Sequence, residues 1–249
     1  MNLDFAAGTD IGRKRENNED GALCLPEQGM WVVCDGMGGM AAGEQATARA
    51  LQMLEAQLTA QALETARGEG MAALQTLLGA ALQAADADIR EVQKSKRAWR
   101  GMGCTVVLAV QDGHSLHIVN MGDSRAYLIR SGQTPRLLTK DHTMAAELVR
   151  QGDLSPERAR HHMLRNHLTS ALGHSNPEHS PHFETVELSP DDLVVLCSDG
   201  LWDMLEDMEI ARIATEAATI SEAVTNLIAA ANDAGGDDNI TVILLKVQE

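Results

Sequence analysis

The chain has 249 residues, with 20 Lys and Arg against 36 Asp and Glu, for a formal net charge of −16. That excess of negative charge excludes nucleic acid and anionic membrane surfaces as partners, because both would be repelled. Hydrophobic residues make up 44% and aromatics 2%, so a core can form, but from Leu, Val, Ile, Ala and Met.

The first residues, Met-Asn-Leu-Asp-Phe, show no basic segment leading into an apolar one, so no secretion signal is expected. No apolar run approaches the length of a membrane span. The cysteines, Cys24, Cys34, Cys104 and Cys197, each lie in or beside a strand-like apolar run, without paired metal spacing. Reduced, buried thiols in a cytoplasmic protein are expected.

In chain order, a polar, charge-dense segment from Thr9 to Asp20 leads into Ala22–Leu25, a predicted strand. The turn Pro26–Gly29 brings the chain back as Met30–Cys34, which predicts a hairpin with Asp20 and Asp35 at the same end. The stretch from Asp35 to Glu44 then carries three glycines in four positions, Gly36, Gly38 and Gly39, before an alanine-rich helical pattern. A carboxylate at a strand end, followed by bare backbone, suits a hard divalent cation held by Asp35 and the Gly36 carbonyl. Two other readings stand beside it. A structural glycine turn is one. A dinucleotide fingerprint is the other, although no second strand follows the helix and Asp35 would face the pyrophosphate.

Helical spacing runs from Glu44 to about Ala60, with Gly68 and Gly70 as an interruption, and resumes in a longer helix from Leu74 to Val92. These apolar stripes call for a sheet to lie on. Thr105–Val110, Ser115–Asn120 and Arg125–Arg130 read as successive strands joined by tight turns, which predicts an antiparallel meander. Between Asp141 and Gly173, Thr143 caps a short helix ended by Gly152, and Ser155-Pro156 starts another. Residues 174–182 read as a loop. Phe183–Leu188 and Leu193–Cys197 return to strand, and helices follow near 207–218 and 221–232. Ile240–Val247 is the last strand.

Asp20, Asp35, Asp123, Asp199 and Asp238 all stand at the edges of apolar strands, most beside glycine. One acid at a strand end is commonly a turn former. Such a set of oxygen ligands, far apart in the chain, selects Mg²⁺ or Mn²⁺ over zinc.

The ordered motifs Arg15-x-x-Asn18-Glu19-Asp20, Asp35-Gly36-Met37-Gly38-Gly39, Gly122-Asp123-Ser124-Arg125, Ser198-Asp199-Gly200-Leu201 and Asp238-Asn239-Ile240-Thr241-Val242 span nearly the whole chain. Together they resemble the bacterial metal-dependent type 2C protein serine/threonine phosphatases, in a small stand-alone form. The resemblance implies an α+β fold, a four-layer α-β-β-α sandwich of two mainly antiparallel sheets with helices on both outer faces. It implies one catalytic domain over residues 1–249 with a flap-like region near 141–173, and a monomer. It also implies two Mn²⁺ or Mg²⁺ ions, or three, in a cleft at one end. Asp35 would bridge the pair. Asp199 and Asp238 would complete one ion and the Gly36 carbonyl the other, with Glu19 or Asp20 contributing directly or through water. Asp123 and Asp199 would take the third, and Arg15 would bind phosphate. The implied partners are phosphorylated proteins, the targets of a serine/threonine kinase.

One position departs from the pattern. Many bacterial relatives have a histidine at the place of Met40, assigned as general acid, and a thioether has no proton to give. Loss of a positioned acid costs on the order of 10²–10⁴ in rate. His162 in the flap-like region is the first candidate to replace it, with His142 behind. A phosphoprotein-binding pseudo-phosphatase is the alternative reading, and Met40 is its only support.

Overall fold

The computed structural model describes residues 1–38, 42–174, 176 and 180–248. Met40 lies outside the described residues. In chain order the elements are β1 (Leu3–Asp10), β2 (Gly21–Leu25), β3 (Met30–Cys34), β4 (Gly36–Met37), α1 (Ala42–Gln57), α2 (Ala60–Glu69) and α3 (Met71–Ser95). Then follow β5 (Gly103–Cys104), β6 (Val106–Asp112), β7 (Ser115–Met121), β8 (Arg125–Ile129), β9 (Arg136–Leu137), α4 (Met144–Gln151) and α5 (Pro156–Ala159). The chain ends with β10 (His182–Glu187), β11 (Leu193–Cys197), α6 (Asp199–Trp202), α7 (Asp207–Glu216), α8 (Ile220–Asp233) and β12 (Ile240–Val247).

Strand β3, Met-Trp-Val-Val-Cys, is buried at every position, which requires cover on both faces. It lies inside a five-stranded antiparallel sheet of order β10-β7-β6-β3-β2. A second five-stranded antiparallel sheet has the order β1-β12-β11-β8-β9. The inner faces meet in an apolar layer that includes Trp31, Val33, Val107 and Ile118 from one sheet and Leu128, Val194, Leu196 and Ile243 from the other. Alternate residues face outward: Met30, Val32 and Cys34 pack under α1, α2 and α3, and Val195, Val242 and Leu244 under α7 and α8. The result is the expected four-layer α-β-β-α sandwich.

Two regions differ from the sequence expectation. Strand β1 pairs along its whole length with β12, from Leu3↔Val247 to Asp10↔Ile240. Its run of Ala, Gly and Thr carries little strand signal by itself. The helical pattern through 44–60 is broken at Thr59, whose side chain accepts from the Ala62 N–H and starts α2. Gly68 lies inside that helix, and the break comes at Gly70, with φ +100°. The expected loop after Gly173 includes residues outside the described set.

Register places the acids. Gly21 pairs with Cys34, so Asp20 and Asp35 emerge together at one end of the β2–β3 hairpin. Cys197 pairs with Val242 on one side and with Arg125 on the other. Asp199, Asp238 and Asp123 therefore leave the second sheet at neighbouring strand ends.

Candidate active site

Asn239 organises the approach to the cleft. Its Nδ2 donates to the carbonyls of Ile11 (2.9 Å) and Asn17 (3.0 Å), and its Oδ1 accepts the Glu19 N–H (2.8 Å). The loop that carries Arg15 and Glu19 is thereby tied to the strand end that carries Asp238. Gly36 N–H donates to the Glu19 carbonyl at 3.1 Å, and Thr47 Oγ1 donates to the same oxygen at 2.8 Å. A side chain at position 36 would collide with the Glu19 and Gly43 carbonyls, so the backbone can approach only as glycine.

Asp35 is fixed from behind by Thr105: its N–H donates to Thr105 Oγ1 (3.0 Å), and Thr105 N–H donates to the Asp35 carbonyl (2.8 Å). Ser198 Oγ donates to Asp20 Oδ2 at 2.7 Å and accepts the Thr241 N–H at 3.0 Å. Asp20 thus sits beneath the cleft rather than on its wall.

The cleft itself has a volume of about 600 Å³. Arg15, Glu19, Asp35, Gly36, Asp123, Asp199 and Asp238 line its acidic side, and Met37, Met144, Leu168, His167 and His174 are among the residues that complete it. At its mouth Arg15 Nη2 donates to Asp238 Oδ2 at 2.5 Å.

His162 is not part of the lining; its Nδ1 accepts the Leu164 N–H within its own turn. His142 is buried, with its ring nitrogen against Gly122. The turn at 161–167 brings the backbone back to α4, where His167 O accepts the Met144 N–H, so His167 and not His162 reaches the cleft. His174 also lines it, with Nε2 at 2.9 Å from the Gly101 carbonyl.

Burial and mutual repulsion dominate the electrostatics. Burial, then the charges of Asp20, Asp199, Asp123 and Asp238, push Asp35 well above the usual carboxylate range. Burial, then Asp123 and Asp238, do the same to Asp199. Asp20 is pushed up to about 6 by burial and Asp238, with Ser198 working the other way. Burial and Asp141 push Asp123 up to about 7, against the pull of Arg125. Burial opposes the charge on Arg15, but Asp238, with Asp199 and Asp35 beyond it, more than offsets this and raises its pKa. Asp20 Oδ1 and Asp199 Oδ1 are both buried without a hydrogen-bond partner.

Among the described residues, no three His, Cys, Asp or Glu side chains close into a ready-made metal cluster. The carboxylates face a common cleft without forming a finished coordination shell. Their chemistry still fits a divalent cation: the donors are all oxygen, two buried oxygens lack partners, and the like charges need a counter-charge.

A profile of the protein phosphatase 2C family matches residues 7–243. The chain belongs to that family. It is 36% identical over 242 residues to the serine/threonine phosphatase Stp of Listeria innocua, covering 96% of this chain and 93% of the relative. The crystal structure of the Mycobacterium tuberculosis serine/threonine phosphatase PstP superposes with a TM-score of 0.87 at 32% identity, covering 100% of both chains. A structure of the PstP catalytic domain in complex with two manganese ions gives 0.81 at 33% identity, covering 99% of each chain. The protein is thus a type 2C, metal-dependent protein serine/threonine phosphatase.

Several supporting groups of this phosphatase had no role assigned from the sequence, although Arg125 stands in the Gly122–Arg125 motif. Arg125 grips Asp141 through Nη2 at 2.6 Å, donates to Tyr127 Oη at 2.9 Å and stacks 3.6 Å from the Trp202 ring. Trp202 Nε1 in turn donates to the Asp123 carbonyl at 3.0 Å. This chain of contacts holds Asp123 and α6 against Asp141. Asn239 and Ser198 were legible only as neighbours of Asp238 and Asp199, and Thr105 had no signal beyond its place at a strand start.

Proposed function

We propose that this phosphatase hydrolyses phosphoserine and phosphothreonine in proteins by direct attack of water on phosphorus, with two Mg²⁺ or Mn²⁺ ions held in the acidic cleft. Asp35, Asp199, Asp238 and the Gly36 carbonyl would hold the pair, supported by Glu19 and Asp20, and Asp123 with Asp199 would hold a third. The observation that carries this is that half-buried Asp35 and Asp199 and buried Asp123 face one cleft, where their charges raise the pKa of Asp35 and Asp199. Such ions supply Lewis acidity and make water nucleophilic near neutral pH.

The chain's own residues do the rest. Arg15, half exposed and aimed by Asp238, binds phosphate oxygens and holds them as charge shifts. Replacing Arg15 with Ala raises KM and lowers kcat/KM by roughly 10- to 100-fold, the size of a lost charge-assisted hydrogen-bond pair. Steady-state kinetics with Mn²⁺ on an aryl phosphate and on a phosphothreonine peptide measure it; unchanged values would remove Arg15 from the site.

His167 is the proposed proton donor to the serine or threonine oxygen, ahead of His162. It lines the cleft, and its ring has no partner among the described residues, whereas His174 directs Nε2 at a carbonyl. The His167→Ala variant loses about 10²-fold on the peptide and little on an aryl phosphate, whose leaving group needs no proton. An equal loss on both substrates would show that His167 is not the acid. A protein that leaves both substrates untouched with Mn²⁺ present would support the pseudo-phosphatase reading of Met40. The wider assignment is that of a cytoplasmic monomer opposing a serine/threonine kinase. It rests on the relatives being named serine/threonine phosphatases.

A further inference from the structure

Charge is distributed unevenly over this acidic protein. Residues 94–100, Lys-Ser-Lys-Arg-Ala-Trp-Arg, hold four of the 20 basic residues and no acid. The segment covers the end of α3 and a 3₁₀ turn, Arg97–Trp99, and runs into Gly101, which lines the active-site cleft.

The segment is held in shape from several directions. Trp99 packs against the core beneath α1–α3, and Lys96 Nζ lies 3.6 Å from the centroid of its ring. Backbone bonds from Trp99 N–H to Lys96 O and from Met102 N–H to Trp99 O close the turn. Gln93 Nε2 donates to the carbonyls of Met102 (2.7 Å) and Gly173 (3.0 Å), fastening the end of α3 to the chain on either side. His174, against Gly101 O, joins the same edge.

Only Lys94 is neutralised, by Glu91 at 3.1 Å. Lys96, Arg97 and Arg100 are exposed and have no carboxylate partner among the described residues. In a chain of net charge −16, where most arginines have found an acid, three unpaired cations on a rigid turn beside the cleft form a local attractor for negative charge.

We propose that Lys96, Arg97 and Arg100 form a docking edge for acidic residues that flank the phosphorylated residue of a protein substrate. This rests on the phosphatase reading and adds a substrate class to it. A local acidic segment fits better than an extended polyanion. Screening confines the edge's influence to a reach of roughly 8 Å at physiological salt, and beyond it the overall negative charge repels.

The test uses three phosphothreonine peptides identical except for Asp/Glu, neutral or Lys residues on both sides of the phosphothreonine. Turnover is measured with Mn²⁺, and binding by fluorescence anisotropy. The wild type favours the acidic flank over the Lys flank about fivefold in kcat/KM at low salt, the sum of a few exposed charge pairs, and the preference shrinks at 0.5 M NaCl. An Arg97→Ala/Arg100→Ala variant loses the preference, and Arg97→Glu/Arg100→Glu inverts it. Both hydrolyse an aryl phosphate as the wild type does.

Equal handling of the three peptides by the wild type overturns the proposal, as does a preference that survives in either variant. Binding to phosphatidylserine vesicles that the variants lose, without peptide discrimination, overturns it in favour of a membrane contact. If the wild type hydrolyses nothing, the phosphatase reading fails by itself, while anisotropy on the same peptides still decides the docking edge.

Discussion

Asp35→Asn gives a protein that binds Mn²⁺ poorly and hydrolyses neither an aryl phosphate nor a phosphothreonine peptide, with kcat/KM reduced by roughly 10³-fold or more. The expectation follows from the proposed role: a carboxylate shared by two cations contributes several kcal/mol of charge stabilisation, and each 1.36 kcal/mol is tenfold in rate. The same substitution has an opposite effect on the fold. Asp35 is half-buried, and its ionised form is disfavoured first by desolvation and then by Asp20, Asp199, Asp123 and Asp238. A neutral amide of the same shape removes that penalty, while the backbone bonds to Thr105 remain. Without metal at pH 7.5 the variant is more stable than the wild type by on the order of 1 kcal/mol or more. Denaturant midpoints in EDTA measure this. A variant that is less stable and also inactive would be explained by misfolding alone, and one that keeps its turnover would sink the bridging role.

Much of this arrangement could be read from letters, for reasons that differ by element. Strands β6, β7 and β8 declared themselves because their turns are short and rich in Gly and Asp, so pairing is local. Strand β1 did not, because its partner β12 lies at the other end of the chain and its small residues gain burial only on pairing. Thr59 could not be distinguished from a helix-interior polar residue until the chain turned there, since the apolar stripe continues through Leu58 and Leu63. At the site, Asp35 and Asp199 stood out because each precedes a glycine that lets backbone approach closely. The reasons for those glycines were hidden: Gly36 faces the Glu19 carbonyl, and Gly200 faces the Asn239 carbonyl, neither of them a neighbour in the sequence. Which histidine faces the cleft was hidden for a similar reason. Position in a flap-like segment does not tell which side of a turn faces the cleft, and the turn at 161–167 presents His167 where His162 was expected.

The buried acids also set how stability responds to pH. In the unfolded chain their carboxyls titrate near 3.9, whereas in the folded protein Asp20 stands at about 6 and Asp123 at about 7. Between roughly pH 4 and 7 the folded state therefore holds protons that the unfolded state has lost, and stability must fall as pH rises through that window. Below it the groups are protonated in both states and contribute nothing; above about 7 the full penalty is present. Each group contributes on the order of 3 kcal/mol, less where the two titrations are linked through Asp35 and Asp199. Asp10, held low by Asn232 and the Gly12 N–H, acts in the other direction only below its ordinary value of 3.8, while His117 and His182, lowered from 6.5 by burial, oppose the acids in the lower part of the window. In EDTA the melting temperature is expected to be higher at pH 5.5 than at pH 8. Excess Mn²⁺ binds the ionised carboxylates and offsets part of that loss, adding about 2.7 kcal/mol at a hundredfold excess over its Kd, so it stabilises the protein more at pH 8 than at pH 5.5. Asp20→Asn flattens the metal-free slope without touching Arg15 or the cleft wall. A metal-free melting temperature that climbs between pH 5.5 and 8, with no response to Mn²⁺, would mean that these carboxylates are not strained by one another. The case for a cation in the cleft would then lose its physical basis, because mutual repulsion among buried acids is what makes binding a counter-charge favourable at that end of the sandwich.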